Sequence, residues 1–277
     1  MCSVVGWGHY NENNDLPPVV SLGGAQSAGF LGNNSDPYVA GSNTKELVVG
    51  SAYKQSVERA DNMRSEYYRV SPLSKSDDFN EEIKHQSRAS RLSLGISTQV
   101  FDVSGESQKT REAYGNGFGQ NCLKTRRLLM SGVPAVSLSI GGWDTHQNNF
   151  TRCESLATSL DKGVSQLVKE LKALDLFDQT LIMIAGEFGR TPRINANEGR
   201  DHYPQNTPVA LISGALSGTV VGHSGSDGTQ MTDAVTMGAV SYSVYKLMGI
   251  RPKGTFEDIT GRPLRYCPAD EGLPGLS

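Results

Sequence analysis

Apolar positions recur with two distinct periods along this chain, and they divide it into elements before any chemistry is considered. From Glu154 to Leu174 the apolar residues Leu156, Leu160, Val164, Leu167, Val168, Leu171 and Leu174 fall three and four apart. That spacing predicts an amphipathic helix, the clearest element in the sequence. In Ala135-Val136-Ser137-Leu138-Ser139-Ile140 the period is two, which predicts a strand ended by Gly141-Gly142. Leu181 to Ala185 is an unbroken apolar run before Gly186, the signature of a strand covered on both faces. Val209 to Ile212, before Ser213-Gly214, is a third strand of the same kind. Strand, helix, strand, loop, strand is an α/β pattern that implies a parallel sheet.

The remainder is less regular. Residues 1–50 read as loop with short extended pieces, among them a strand at Val19 to Leu22 and a turn at Asn33-Asn34-Ser35-Asp36-Pro37. Residues 51–95 carry dense charge, and Asp77-Asp78 starts a helix running through Ile83 to Leu94 with His85 on its solvated face. A helix after Gly117 includes Cys122, Leu123, Leu128 and Leu129 and stops at Ser131-Gly132-Val133-Pro134. A last helix spans about Thr232 to Met248, is capped by Gly249, and leads into a Pro/Gly-rich tail. The 277 residues suit one domain over 1–277, with a loop and helical part at 1–130 and a sheet core at 131–266.

Composition narrows the function classes. A net charge of −3 gives no reason to expect nucleic acid as a partner, and no apolar run approaches the length of a membrane span. Cys2, Cys122, Cys153 and Cys267 are widely spaced with no C-x-x-C pair, so a zinc knuckle is excluded; disulfide and free thiol both stay open. There is no nucleophile elbow, no Walker loop, and no glycine fingerprint after a strand.

Candidate chemistry collects in the loops beside the predicted strands. Asp144 and His146 lie two residues apart after the strand at 135–140. Glu187 is two residues past the strand at 181–185, and Asp201-His202 ends the loop leading to the strand at 209–212. In an open α/β sheet ligands bind beyond the strand ends, and carboxylate with imidazole suits Zn²⁺, Mn²⁺ or iron, where carboxylates alone suit Mg²⁺ or Ca²⁺. Each group also has a structural reading: a turn cap for Glu187, or a partner for Arg193 or Arg200 in the case of Asp201. His223 after another apolar run is a further candidate ligand. Arg190, Arg193 and Arg200 flank the acids and are candidates to bind an anionic substrate, Arg190 first because Gly189 and Thr191-Pro192 hold it near Glu187.

The motifs G-G-W-D-T-H at 141–146, G-E-F-G-R-T-P at 186–192 and G-R-D-H-Y-P at 199–204 resemble the domain-of-unknown-function 1501 family, a bacterial family abundant in planctomycetes. Tyr114-Gly115, Phe118-Gly119-Gln120, Arg126-Arg127-Leu128 and Gly261-Arg262-Pro263-Leu264 extend the resemblance over about residues 15 to 266. It implies the alkaline-phosphatase and sulfatase-like superfamily, with an α/β/α sandwich, a mostly parallel central sheet and usually two metal ions. By this resemblance Asp144, His146, Glu187 and His202 are metal ligands, Asp201 is a ligand or an orienting group for His202, and Phe188 stands where a histidine is expected. It further implies a metal-dependent hydrolase acting on a small anionic ester or a sulfated or phosphorylated saccharide. Family members normally begin with a twin-arginine export signal, followed by a strand whose loop bears a first metal ligand and a nucleophile. Residues 4–22 resemble a region well inside the family's chain, so the sequence reads as a truncated gene, a fragment or a natural short form lacking the N-terminal strands. A non-catalytic exported binding or scaffold protein that retains the fold, or an inactive fragment, is the alternative.

Overall fold

The computed structural model describes residues 1–40 except 12, 13, 15, 25 and 32–34, the isolated residues 59, 62, 63 and 66, and residues 98–276 except 259. The helix expected from Asp77 to Leu94, with His85, lies outside the described residues, as do Asn33 and Asn34 of the expected turn. The fold is mixed α/β. In chain order it comprises α1 (Cys2–Gly8), β1 (Val19–Leu22), β2 (Tyr38–Ala40), α2 (Gln108–Tyr114), α3 (Phe118–Met130), β3 (Ala135–Leu138), α4 (Asn149–Ala173) and β4 (Ile182–Ala185). There follow β5 (Gly189–Arg190), β6 (His202–Tyr203), β7 (Val209–Ile212), β8 (His223–Ser224), β9 (Met231–Thr232), α5 (Met237–Leu247), β10 (Thr255–Glu257) and β11 (Pro263–Arg265). Among the described residues, no helix is long and apolar enough to cross a membrane.

A parallel sheet of order β2-β1-β3 forms the centre, with Val20 opposite both Tyr38 and Val136. It draws two strands from residues 19–40, so the sheet reaches into the part expected to be loop and helix. All four residues of β1 are buried, as a parallel strand covered on both faces requires. Val19 packs with Val5 of α1 and Tyr245 of α5, while Val20 and Leu22 pack with Leu128 of α3 and with Phe101. Helices therefore cover both faces of this sheet. Helix α1 falls where loop was expected. Its first turn has no side-chain cap, and a seven-residue helix is held by tertiary packing rather than by intrinsic propensity.

The second strand pair departs from the parallel arrangement expected of the strands at 181–185 and 209–212. β4 and β7 run antiparallel, Ile182 opposite Ile212, in a ladder separate from β3 among the described residues. Parallel neighbours need a crossover, usually helical. Here residues 186–208 instead make the short antiparallel ladder β5–β6 and return to the end they left. Met183, Leu211 and Val209 lie against Val240 and Val244 of α5, and Ile182 joins the core that Leu123, Leu167 and Leu171 form between α3 and α4.

The helices match the periodicity with shifted ends. α4 starts at Asn149, ahead of the expected start at Glu154. α5 starts only at Met237, because Met231 and Thr232 belong to β9; Thr236 caps it by accepting from the Ala239 N–H at 3.1 Å. Gly249 follows its last turn at φ 70°, the left-handed residue that ends many helices.

Candidate metal centre

Two loops are clasped together to make the site. The first leaves β3 and enters α4; the second is the excursion between β4 and β7. The Arg200 N–H donates to the Thr145 carbonyl at 3.0 Å, Asn149 N–H to Glu198 O at 2.9 Å, and Asn148 N–H to Asn197 O at 3.2 Å. Thr145 is fully buried and donates its hydroxyl to Asn149 Oδ1 at 2.6 Å, fastening the first loop onto the start of α4. Gly199 is where the loops press closest. A Cβ there would collide with both the carbonyl carbon and oxygen of His146, a backbone contact that no side-chain movement relieves. That is the physical reason for glycine in G-R-D-H.

The β5–β6 ladder sets Arg190 directly opposite His202, so both side chains reach one target. That target is Asp144 Oδ1: Arg190 Nη1 donates to it at 2.6 Å and His202 Nε2 lies 3.0 Å away. His146 Nε2 is also 3.0 Å from the same oxygen. Asp144, His146 and His202 each offer one ligand atom, and the three atoms lie within 4.8 Å of one another. On its other side His146 Nδ1 is 2.9 Å from Asp201 Oδ1. The hydrogen bonds from His202 and then Arg190 draw the Asp144 carboxyl down to about 2. Asp201 is lowered too, by His146 first and Asn195 second.

Aromatic packing supports the cluster. Phe188, where the resemblance places a histidine, lies 4.6 Å from the His202 ring at 47°, and the Arg190 guanidinium sits 5.5 Å above Phe188. The two imidazoles are 5.0 Å apart.

The structure thus brings Asp144, His146 and His202 together with Arg190, and places Asp201 behind His146 rather than beside His202. Glu187 is exposed in the turn before β5 and is not among the three clustered groups. Arg200 donates to the carbonyls of Thr191 and Pro192 at 2.6 and 2.7 Å, so its guanidinium braces the loop. Arg193 is exposed nearby. His223 lies exposed in β8, outside the cluster. All four cysteines are free thiols, and burial pushes Cys122 up to about 12. Sequence reasoning passed over Asn195, Thr145 and Asn149. None lies on a periodic face, and a lone Asn or Thr in a loop has no pattern to mark it.

Two imidazoles and one carboxylate, converging with an exposed side, form a donor set that suits Zn²⁺ or Mn²⁺ better than Mg²⁺ or Ca²⁺. The hydrogen bonds reinforce that fit. With Asp201 accepting from Nδ1, a neutral His146 turns its Nε2 lone pair toward an Asp144 oxygen, and two acceptors at 3.0 Å need a proton or a cation between them.

No curated protein and no solved structure matches the chain. One family model does, over residues 1–272, nearly the whole length of the sequence and all three clustered groups. The chain belongs to the family described as proteins of unknown function, DUF1501.

Proposed function

We propose that this chain is a divalent-metal-dependent hydrolase of phosphate or sulfate esters, or the metal-holding part of one. The observation that carries the reading is the convergence of Asp144 Oδ1 with the histidine nitrogens of His146 and His202. A divalent ion there would act as a Lewis acid on an ester oxygen. Arg190 stands at the same carboxylate, where its guanidinium is placed to pair with the equatorial oxygens of a tetrahedral anion and to stabilise charge growing on them. The motif resemblance to alkaline-phosphatase and sulfatase-like enzymes supports the same assignment, together with an α/β/α sandwich and export.

A second reading has an observation of its own. The two loop hydroxyls flanking the cluster are engaged in the scaffold: Thr145 donates to Asn149, and Thr191 donates to Arg193 O while accepting from the Asp201 N–H. This favours either attack by water or a non-catalytic, exported binding protein that keeps the site for an anionic ligand such as a sulfated or phosphorylated saccharide.

Metal content of the purified chain after incubation with Zn²⁺, Mn²⁺, Mg²⁺ and Ca²⁺, paired with a panel of aryl phosphate and aryl sulfate substrates, tests both. Bound Zn²⁺ or Mn²⁺ with turnover that disappears in His146→Ala supports the hydrolase. Bound metal with saccharide binding and no turnover supports the alternative. Metal content unaltered in Asp144→Ala and His146→Ala overturns the site itself.

A further inference from the structure

We infer that Asn195 and Asp201 form a positioning pair that orients His146 for metal ligation, an inference resting on the metal-site reading above. Asp201 Oδ1 lies 2.9 Å from His146 Nδ1. As a carboxylate it only accepts, so Nδ1 carries the proton, which in a neutral ring leaves the Nε2 lone pair for a metal at the cluster. The same oxygen also accepts from Asn195 Nδ2 at 3.1 Å. With both contacts made on the far side of the ring, this oxygen orients a ligand instead of serving as one.

Asn195 locks this arrangement with its whole amide. Its Nδ2 donates to Asp201 Oδ1 and also to the His146 carbonyl, each at 3.1 Å. Its Oδ1 accepts from the N–H groups of Asn197 and Gly199, at 3.0 and 2.9 Å. Two donors and two acceptor sites are all the amide has, and every one is in use. One half of the side chain shapes the Asn195 to Gly199 turn. The other half ties the backbone of His146 to the carboxylate that holds its ring. His202 is steadied differently, by the face of Phe188. The two imidazoles share the Asp144 oxygen, but Asn195 and Asp201 bear on His146 and Phe188 on His202.

The two halves of the amide can be separated experimentally. Asn195→Asp keeps an acceptor for Asn197 and Gly199 but removes both donors, whereas Asn195→Ala removes everything. Co²⁺ is titrated into the full chain and its visible absorption recorded, with thermal melting of each variant alongside. Asn195→Asp, which sets an acceptor oxygen against Asp201 Oδ1 and the His146 carbonyl where a donor stood, is expected to weaken Co²⁺ binding about tenfold or more and to change the spectrum, with a lowered melting temperature. Asn195→Ala is expected to show the same loss of affinity with a lower melting temperature. Outer groups that orient metal-bound histidines have effects of this size, and a purely structural asparagine would leave the spectrum of the bound ion unchanged. Equal affinity and an identical spectrum for Asn195→Asp and the parent overturn the positioning role alone. A parent chain that binds no Co²⁺ overturns the metal reading and this inference with it.

Discussion

Arg126 and Arg127 meet the Glu106 carboxylate at 2.5 and 2.6 Å, Arg126 also reaches Glu170 at 3.1 Å, and Tyr114 donates its hydroxyl to Glu170 at 3.1 Å. Arg190, by contrast, meets an Asp144 oxygen that two histidines approach as well. The ingredients overlap, yet the settings differ. In the first group the charged side chains are 13–27% exposed. In the second, Asp144, His146 and His202 are 48–63% exposed. Burial pushes Glu106 up, but the hydrogen bonds from Arg127 and Arg126 outweigh it and hold the carboxyl below its usual range. The Arg127 guanidinium further donates to the carbonyls of Val100 and Gln99. The more buried network ties α2, α3, α4 and the segment before them together, with Arg126 Nε left without a hydrogen-bond partner among the described residues. The open cluster has several nitrogens facing one oxygen and a side left to solvent. Arginine and carboxylate alone do not mark a candidate site; here the convergence of two imidazole nitrogens on one exposed carboxylate oxygen does.

Substitutions can break this contrast, beginning with the cluster. His146→Ala or His202→Ala is expected to weaken Zn²⁺ binding by more than about 100-fold, since a lost ligand should cost more than a lost orienting group. The melting temperature of the metal-free chain should hardly move, because both side chains are half exposed; equilibrium dialysis and calorimetry read the two effects. Glu106→Ala should do the reverse. It removes charge-assisted bonds to two arginines and is expected to cost about 2 kcal/mol in urea unfolding while metal affinity stays within twofold. An equal loss of metal binding would mean the two regions are coupled through α4.

Gly199→Ala sharpens the comparison from the backbone side. The added methyl would strike the His146 carbonyl, so the clasp must open, at about 1–3 kcal/mol. Unlike the histidine variants, this one should lower both stability and metal affinity, in the same pair of measurements.

The smallest effect concerns acid. Asp144 sits at about 2 in the folded chain against an ordinary value of 3.8. Its folded value is depressed, so the stability it contributes is present above about pH 4 and is lost as pH falls toward 2. A carbon-13 titration of the metal-free protein should place the Asp144 midpoint near 2, and Arg190→Met should move it upward. A midpoint near 3.8 in the parent chain would mean that the contacts to His202 and Arg190 are not formed in solution.

Much of the fold was legible because burial imposes a period. The run at 181–185 and the stripe from Leu156 to Leu171 became β4 and α4, and the final helix stopped at its glycine. The direction in which strands pair was not legible. Nothing in Leu181 to Ala185 or Val209 to Ile212 states that β4 and β7 are antiparallel; the excursion between them, folded back through the β5–β6 ladder instead of crossing over as a helix, goes with that direction. α1 was missed for a related reason, since its stability comes from Val5 packing against Val19 and Tyr245 rather than from its own residues.

For the site, local sequence determined which groups are available: Asp144 and His146 two apart, Arg190 in a tight turn, and His202 ahead of a buried strand. It determined the family as well, through motifs short enough to survive as words. Tertiary structure decided which of those groups meet. It joined His202 to Asp144 across 58 residues and His146 to Asp201 across 55, left Glu187 in solvent, and turned Arg200 inward to brace its own loop. The reason is physical: residue type and spacing fix what a side chain offers, while its distance from a partner far along the chain depends on where the backbone returns. Here that return is governed by the Gly199 contact, the β5–β6 ladder and the four bonds of Asn195.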